Sequence, residues 1–453
     1  MLKTLKNILF LALVALALAP SVSFAVPSFA RQTGMDCAAC HTSFPELTPF
    51  GREFKLRGYT LGERQWLPVA AMVQASATHI SKVHDNSGVT VMPHQNNPEF
   101  DVASVFVAGK LNDYVGMFLQ MTYNNINGLR DDFSFIHHSA QDNTDIRAVG
   151  TSELFGKDLV YGLDLNNNPS VQDVWNSSPA WAYTPWQTSS LAGGPNNQFP
   201  TKIDSAFAQT VAGLGGYLWW DRHLYAELSF YGSANKSLKF MSQGQNSFPL
   251  LDGHDNPYWR LAWSEDWGSN SLMVGTYGMR VNLFPDPANP HGATDRFTDT
   301  ALDVQYQYLT DPHIFTVAAT YIHENIDWKA SYVDGINAGP SNPTGNLNTF
   351  RAKATYLYNR KYGATLGYFS SNGSSDNLLY GVTPDINTTL AVSNKPNSRG
   401  YSAELDYNPW TNVRFSLTYL GFTQWDGASS NIDGNGRSPR DNNTLILNTW
   451  LAF

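Results

Sequence analysis

The chain has 453 residues and a formal net charge of −9, with only 15 % charged and 13 % aromatic residues. A mean hydropathy of −0.30 excludes a bundle of apolar transmembrane helices, and the acidic balance argues against nucleic acid as a partner. Low charge combined with abundant Tyr, Trp, Gly and Asn fits an all-β protein with wet and greasy faces.

Residues 1–25 read as a secretory signal peptide. Lys3 and Lys6 form its charged start, Ile8 to Ala19 its apolar run, and Ser23-Phe24-Ala25 a small-x-small cleavage site. The apolar run is shorter than the ~20 residues of a spanning helix. No other segment approaches that length, so any membrane insertion is by strands.

The two cysteines of the chain follow closely, as Cys37-Ala38-Ala39-Cys40-His41. An exported pair of thiols could form a disulfide or a redox couple, and two thiols with one His make an incomplete zinc site. C-x-x-C-H is, however, the attachment signature of c-type haem. Thiols one helical turn apart reach the two vinyl groups of one porphyrin, and the adjacent imidazole falls under the iron. Cys37 and Cys40 are thus expected to carry one haem covalently, with His41 as an axial ligand.

Thr48 and Pro49 read as N-cap and first residue of a short helix. Leu47, Phe50 and Phe54 form its apolar face, Arg52, Lys55 and Arg57 fill the other, and Gly58 ends it. The apolar face is expected to cover an edge of the porphyrin. This cytochrome segment (26–66) is too short, at about forty residues, to bury a haem alone. Another element must wall it in.

Over 67–453 the pattern becomes segments of roughly ten residues that alternate apolar and polar, the mark of an outer-membrane β-barrel. Sixteen strands are predicted, near 67–81, 99–111, 115–125, 143–155, 159–166, 205–220, 223–233, 258–267, 271–283, 298–309, 313–325, 347–358, 362–371, 398–409, 413–425 and 442–453. In 298–309, Leu302, Val304, Tyr306 and Tyr308 share one face and Asp303, Gln305 and Gln307 the other. The connections alternate between short turns and long loops, as in barrels with short periplasmic turns. An even strand number returns both termini to the periplasm. The last strand ends in Phe453, a terminal aromatic like the assembly signal of outer-membrane proteins. A soluble sandwich or propeller is the competing architecture, and the loop alternation argues against both.

Phe29-Ala30-Arg31-Gln32-Thr33-Gly34, the C-x-x-C-H motif, Phe44 to Lys55 and Gly58-Tyr59 together resemble the start of the fused cytochrome–porins of iron-oxidising bacteria. The remainder resembles that family in architecture and length only. The resemblance implies a monohaem cytochrome segment ahead of a sixteen-stranded outer-membrane barrel. It also implies oxidation of extracellular Fe(II) with electrons passed inward to periplasmic cytochromes. It assigns haem attachment to Cys37 and Cys40 and iron ligation to His41.

For the sixth iron position, Met72 shares the polar parity of Gln74, Ser76 and Thr78 on the first strand and is expected to point into the lumen. Its thioether could complete ligation; the alternative is a Met filling space against the plug. Met35 is poorly placed to reach the opposite haem face, and His79 has lipid-facing parity. Lys110, Glu227, Arg260, Asp303, Arg351, Lys353, Glu404, Asp406 and Arg414 have lumen parity and are expected to form structural ion pairs. The outer loops lean acidic, with Asp131, Asp132, Asp142, Asp145, Asp252, Asp255, Asp376 and Asp385 among them. The expected activity is electron transfer from Fe(II). The alternatives are a porin whose haem segment acts as plug or gate, or electron transfer from a sulfur compound or quinol.

Overall fold

A computed structural model describes residues 27–84, 88, 90, 94–125, 138–178, 200–204, 207–243, 251–287, 290–334, 339–380 and 393–453. The signal peptide and Asp131, Asp132 and Asp385 lie outside the described residues.

Sixteen antiparallel strands close into a barrel in which each pairs with its sequence neighbour and the first pairs with the last. They are β1 (Val69–Ile80), β2 (Pro98–Lys110), β3 (Val115–Asn124), β4 (His138–Leu154), β5 (Lys157–Asn166), β6 (Val211–Trp220), β7 (Leu224–Ser233) and β8 (Asn256–Trp267). The second half comprises β9 (Asn270–Leu283), β10 (Asp295–Leu309), β11 (His313–Asp327), β12 (Thr344–Tyr358), β13 (Tyr362–Gly373), β14 (Ser398–Trp410), β15 (Val413–Gln424) and β16 (Thr444–Ala452). All sixteen expected strands are present. β4 starts five residues earlier than the alternation suggested. Its polar first turn pairs with the end of β3, Asn124 opposite His138, and has no apolar face to reveal it. β6 starts later, because the chain before it forms turns, with Thr210 N–H donating to the Phe207 carbonyl at 3.1 Å.

Alternation sets the two faces. On β10, Leu302 is 63 % exposed on the outside while its neighbour Asp303 is buried in the lumen. The outer band of Leu, Val, Tyr and Trp is the surface of a barrel immersed in lipid. The terminal Phe453 is tied to β1 by two backbone bonds with Ala71, of 2.8 and 3.0 Å. One end carries the short turns. Phe155-Gly156 between β4 and β5 has φ of 57° and 73°, the left-handed pair of a tight hairpin turn.

The lumen is plugged at its short-turn end. Three short helices, α1 (Ser28–Thr33), α2 (Cys37–Cys40) and α3 (Pro49–Leu56), lie inside the short-turn end. The first part of the long loop after β5 folds back beside them, and α4 (Pro169–Gln172) there is fully buried. The basic face of α3 meets the wall. Arg52 donates to Gln305, Gln307 and Ser271 at 3.1, 2.8 and 2.7 Å. Lys55 reaches Asp145 at 3.7 Å and the Val171 carbonyl. Tyr59 Oη donates to Asp145 at 2.7 Å, and Tyr217 Oη donates to the Leu56 carbonyl at 2.6 Å. On the opposite side Lys353 pairs with Glu46, and Arg414 donates to the Phe44 carbonyl at 3.0 Å. Buried charges are tolerable only when paired or hydrogen-bonded, so these contacts fix the plug's orientation.

Most of the lumen charges form ion pairs, as their parity suggested, but Glu227 instead accepts from the Tyr225 and Ser229 hydroxyls at 2.6 and 3.0 Å, and Lys110 pairs with Asp113 of the adjoining turn. Arg260 meets Asp303 at 2.5 Å and Asp173 at 3.8 Å; Arg414 meets Glu404 and Asp406 at 2.5 and 2.8 Å. The assignment of Asp142 and Asp145 to an acidic outer loop is corrected. Both sit on β4 facing inward, where Asp145 serves Arg147 and Tyr59. Asp376 does lie in a loop, but as a backbone cap, accepting N–H groups of Ser341, Asn342, Leu378 and Leu379 at 3.0 Å each.

Candidate functional site

The motif turn is built by its neighbours. His41 N–H donates to the Cys37 carbonyl at 2.9 Å, closing one helical turn that sets both thiols on one side. Thr48 serves twice. Its Oγ1 caps α3 by accepting from Gly51 N–H at 3.1 Å, and its hydroxyl and backbone N–H donate to the Ala39 and Cys40 carbonyls at 2.5 and 2.9 Å. Gly51 lets the helix approach so closely that a Cβ there would lie 2.2 Å from the Cys40 oxygen. From the turn between β12 and β13, Arg360 donates to the carbonyls of Ala38 and His41 at 3.1 and 3.4 Å.

The thiols are half-buried and unlinked. Burial pushes Cys40 up to about 11, with Cys37 adding to the rise. Burial also raises Cys37, helped by Asp36 and opposed by its own backbone. A redox dithiol or zinc knuckle needs stabilised thiolates; this environment disfavours them. Among the described residues no three His, Cys, Asp or Glu side chains gather as a metal group. Burial lowers His41 to about 4, against an opposing pull from the backbone of Glu46 and Pro45. The imidazole is therefore neutral near pH 7, the form that ligates a metal.

These residues border a largely apolar cavity of roughly 1440 Å³, part of it open to solvent, at the short-turn end. Cys37, Cys40 and His41 line it on one side and Met72 and Trp450 on the barrel wall, with Phe29, Phe54, Phe106 and Phe118 as aromatic walls. Met72 is 4 % exposed, and its sulfur accepts from Gln74 Nε2 at 3.7 Å. Met35 also borders this cavity but is 43 % exposed, whereas His79 points outward. The phenyl ring of Phe44 lies 4.6 Å from the His41 ring and 5.8 Å from Trp450. Phe44 also borders a cavity of about 970 Å³ along β11–β15 and one of about 930 Å³ at the short-turn rim. Two thiols, a neutral imidazole, a thioether and aromatic walls around one large cavity are a donor set and a shape that a haem fits.

No family model and no curated protein matches this sequence. Among solved structures it is similar to in-vitro folded OmpT, an outer membrane protein of Vibrio cholerae, at 11 % identity and a TM-score of 0.43 over 85 % of this chain and 96 % of that one. It is likewise similar to Salmonella typhi OmpF in complex with daunomycin, at 11 % identity, a TM-score of 0.46 and coverage of 85 % and 97 %. An anion-selective porin from Comamonas acidovorans gives 11 %, 0.43, 85 % and 98 %. These likenesses add nothing to the closed barrel seen in the strand pairing.

Of the residues singled out by sequence, Cys37, Cys40, His41 and Met72 meet at one cavity. Sequence reasoning missed Phe44, Trp450 and Arg360. Trp450 had a usable signal, because it shares the inward parity of Ile446 and Asn448 on β16. Phe44 and Arg360 had none, since their roles depend on how the plug docks.

Proposed function

We propose that this chain is an outer-membrane electron-transfer protein, a porin-like barrel that houses one covalent haem c in its own lumen, with both termini periplasmic. The observation that carries this reading is the convergence of C-x-x-C-H with Met72 in one aromatic-walled cavity inside a closed barrel. When bound, haem would supply a one-electron centre. Cys37 and Cys40 would tether it, and His41 and Met72, the latter steadied by Gln74, would ligate its iron. Phe29, Phe54, Phe106 and Phe118 would place apolar surface against it, and limiting solvent access is one of the levers on a haem potential. The resemblance of residues 29–59 supplies the donor, extracellular Fe(II), which leaves as Fe(III) after giving up one electron. A one-electron acceptor, a periplasmic cytochrome, receives it at the short-turn rim. The cavity beside β11–β15 offers room for a small donor next to Phe44.

A second reading is a porin whose N-terminal segment acts as plug or gate, and the same cavity favours it because space persists beside the plug. Two measurements separate the readings. The full chain, made with the haem-attachment machinery, should gain one covalent porphyrin that Cys37→Ala/Cys40→Ala loses; a colourless wild type ends the haem reading. Anaerobic Fe(II) should then reduce the loaded protein. Failure with Fe(II) but reduction by a sulfur compound or quinol replaces the donor. Bilayer conductance that changes with redox state would favour the gate.

A further inference from the structure

We infer that the lumen wall holds a divalent-cation site, built by Asp101 and Glu99 of β2 with the inward oxygens of β1 and β16, on the outer side of Met72. The strand register makes it. β1 and β2 slip by one residue between Gln74 and Ala75, where Gln74 faces Val102 and Ala75 faces Phe100. Asp101 is the extra residue. Such a bulge re-aims a side chain, and here both Glu99 and Asp101 are buried facing the lumen. Ser76 lies directly opposite Glu99 on one side and directly opposite Asn448 of β16 on the other. Ser76 Oγ donates to Asp101 Oδ1 at 3.0 Å.

The second observation is independent of the carboxylates. Asn448, on another strand and 1 % exposed, has neither amide atom hydrogen-bonded among the described residues. Directly opposed residues in a sheet have Cβ atoms about 5 Å apart, so this amide stands beside the Ser76–Asp101 pair. Thr78 Oγ1, Gln74 Oε1 and Asp101 Oδ2 are likewise buried without a hydrogen-bond partner. Glu99 contacts His94 at 3.5 Å, whereas Asp101 has no cationic partner among the described residues. Buried polar atoms left unmatched in such a group call for a bound species. Two carboxylates with amide and hydroxyl oxygens are the donor set of hard divalent cations such as Ca²⁺, Mg²⁺ and Mn²⁺, and of Fe²⁺ among the softer ones. Ser76 is four residues from Met72, about 13 Å along the strand. Cation binding here does not depend on haem; only the identification of the cation as the Fe(II) donor rests on the electron-transfer reading.

The test uses the full chain in detergent, stripped with chelator and titrated with Mn(II), free Mn(II) being read by electron paramagnetic resonance. Wild type should show one saturable site, lost in Asp101→Asn/Glu99→Gln and weakened at least tenfold in Asn448→Leu. Circular dichroism would establish that each barrel is intact. The haem-free Cys37→Ala/Cys40→Ala variant should bind Mn(II) as wild type does. Equal binding by Asp101→Asn/Glu99→Gln and wild type overturns the site. Wild type that attaches haem yet binds no Mn(II) overturns this inference while leaving the proposed function standing.

Discussion

Replacing Gly51 with alanine probes the contact that holds the C-x-x-C-H turn on the plug helix, and the sign of the effect is diagnostic. In a helix alone, alanine is favoured over glycine by about 1 kcal/mol. In the folded chain the added Cβ falls 2.2 Å from the Cys40 carbonyl oxygen and 3.1 Å from its Cα. That oxygen is backbone, and it already accepts Thr48 N–H at 2.9 Å. Carbon–oxygen contacts close at about 3.3 Å, so the turn must lift by about 1 Å. Overpacking of this kind costs about 1–3 kcal/mol and a strained hydrogen bond about 1 more, offset by about 1 of helix propensity. The net is about 1–3 kcal/mol against docking of residues 37–57. Since 1.4 kcal/mol is tenfold, hydrogen exchange of these amides in the detergent-solubilised chain should speed up by about 5- to 150-fold. Barrel amides should be unaffected. Exchange in 37–57 that is unchanged or slower would refute the packing.

Met72→Leu keeps the bulk and removes the sulfur. Covalent haem should remain, with an altered absorption spectrum and a lower midpoint potential, because thioether ligation raises it; an unchanged spectrum and potential reject Met72 as ligand. Lys353→Met leaves the buried Glu46 carboxylate without its cation, which should loosen the plug by about 3 kcal/mol and raise bilayer conductance; wild-type conductance would show that the pair does not hold the plug. Burial works to raise the Asp376 carboxyl, but the N–H groups of Ser341, Leu378 and Leu379 win and hold it below the ordinary range. A depressed folded value means that its contribution is present above the ordinary Asp value of about 3.9 and is lost as pH falls below it. Exchange at 341–342 and 378–379 should therefore accelerate only below that pH, a dependence that Asp376→Asn should abolish.

The barrel was legible because period-two alternation is a local property. Leu302, Val304 and Tyr308 announce their face whatever surrounds them. The C-x-x-C-H turn was legible as a candidate site because it is written in five consecutive residues, and the inward side of Met72 because parity alone sets it. Three things were not legible. A polar strand end such as His138–Gln141 has no alternation to read. The loop after β5 carries no sign that Val171 and Trp175 return to the lumen rather than staying outside. The bulge at Asp101 shifts parity by one residue, which sequence shows only as two inward acids followed by an inward Ser104. Arg52 and Lys55 read as the polar face of an amphipathic helix, the usual mark of a solvated surface. A plugged barrel inverts that rule, since its interior is polar and the plug's basic face becomes its buried one.

If the proposed electron-transfer reading holds, the position of the site along the strands sets where selectivity for a donor lies. Met72 is three residues from the short-turn end of β1 and eight from the other, about 10 and 26 Å along the strand. On the proposed electron-transfer reading, an acceptor at the rim would be near, and a donor from outside would travel inward along the lumen to the plug. Charges at the outer mouth are then more than two Debye lengths from the site at physiological ionic strength, where that length is about 8 Å. Asp252 and Asp255 are exposed there. Neutralising both should change the rate of reduction by a small hydrated donor less than about twofold at 150 mM salt. By contrast, Thr365 lines the cavity along β11–β15 opposite Thr355, their hydroxyls 3.0 Å apart. Thr365→Phe should narrow that approach and slow reduction, more for large donors than for small ones, without shifting the haem spectrum. Stopped-flow reduction of the loaded variants compares the two. A tenfold loss on neutralising the outer acids, with none from Thr365→Phe, would move recognition to the mouth and refute entry through the lumen.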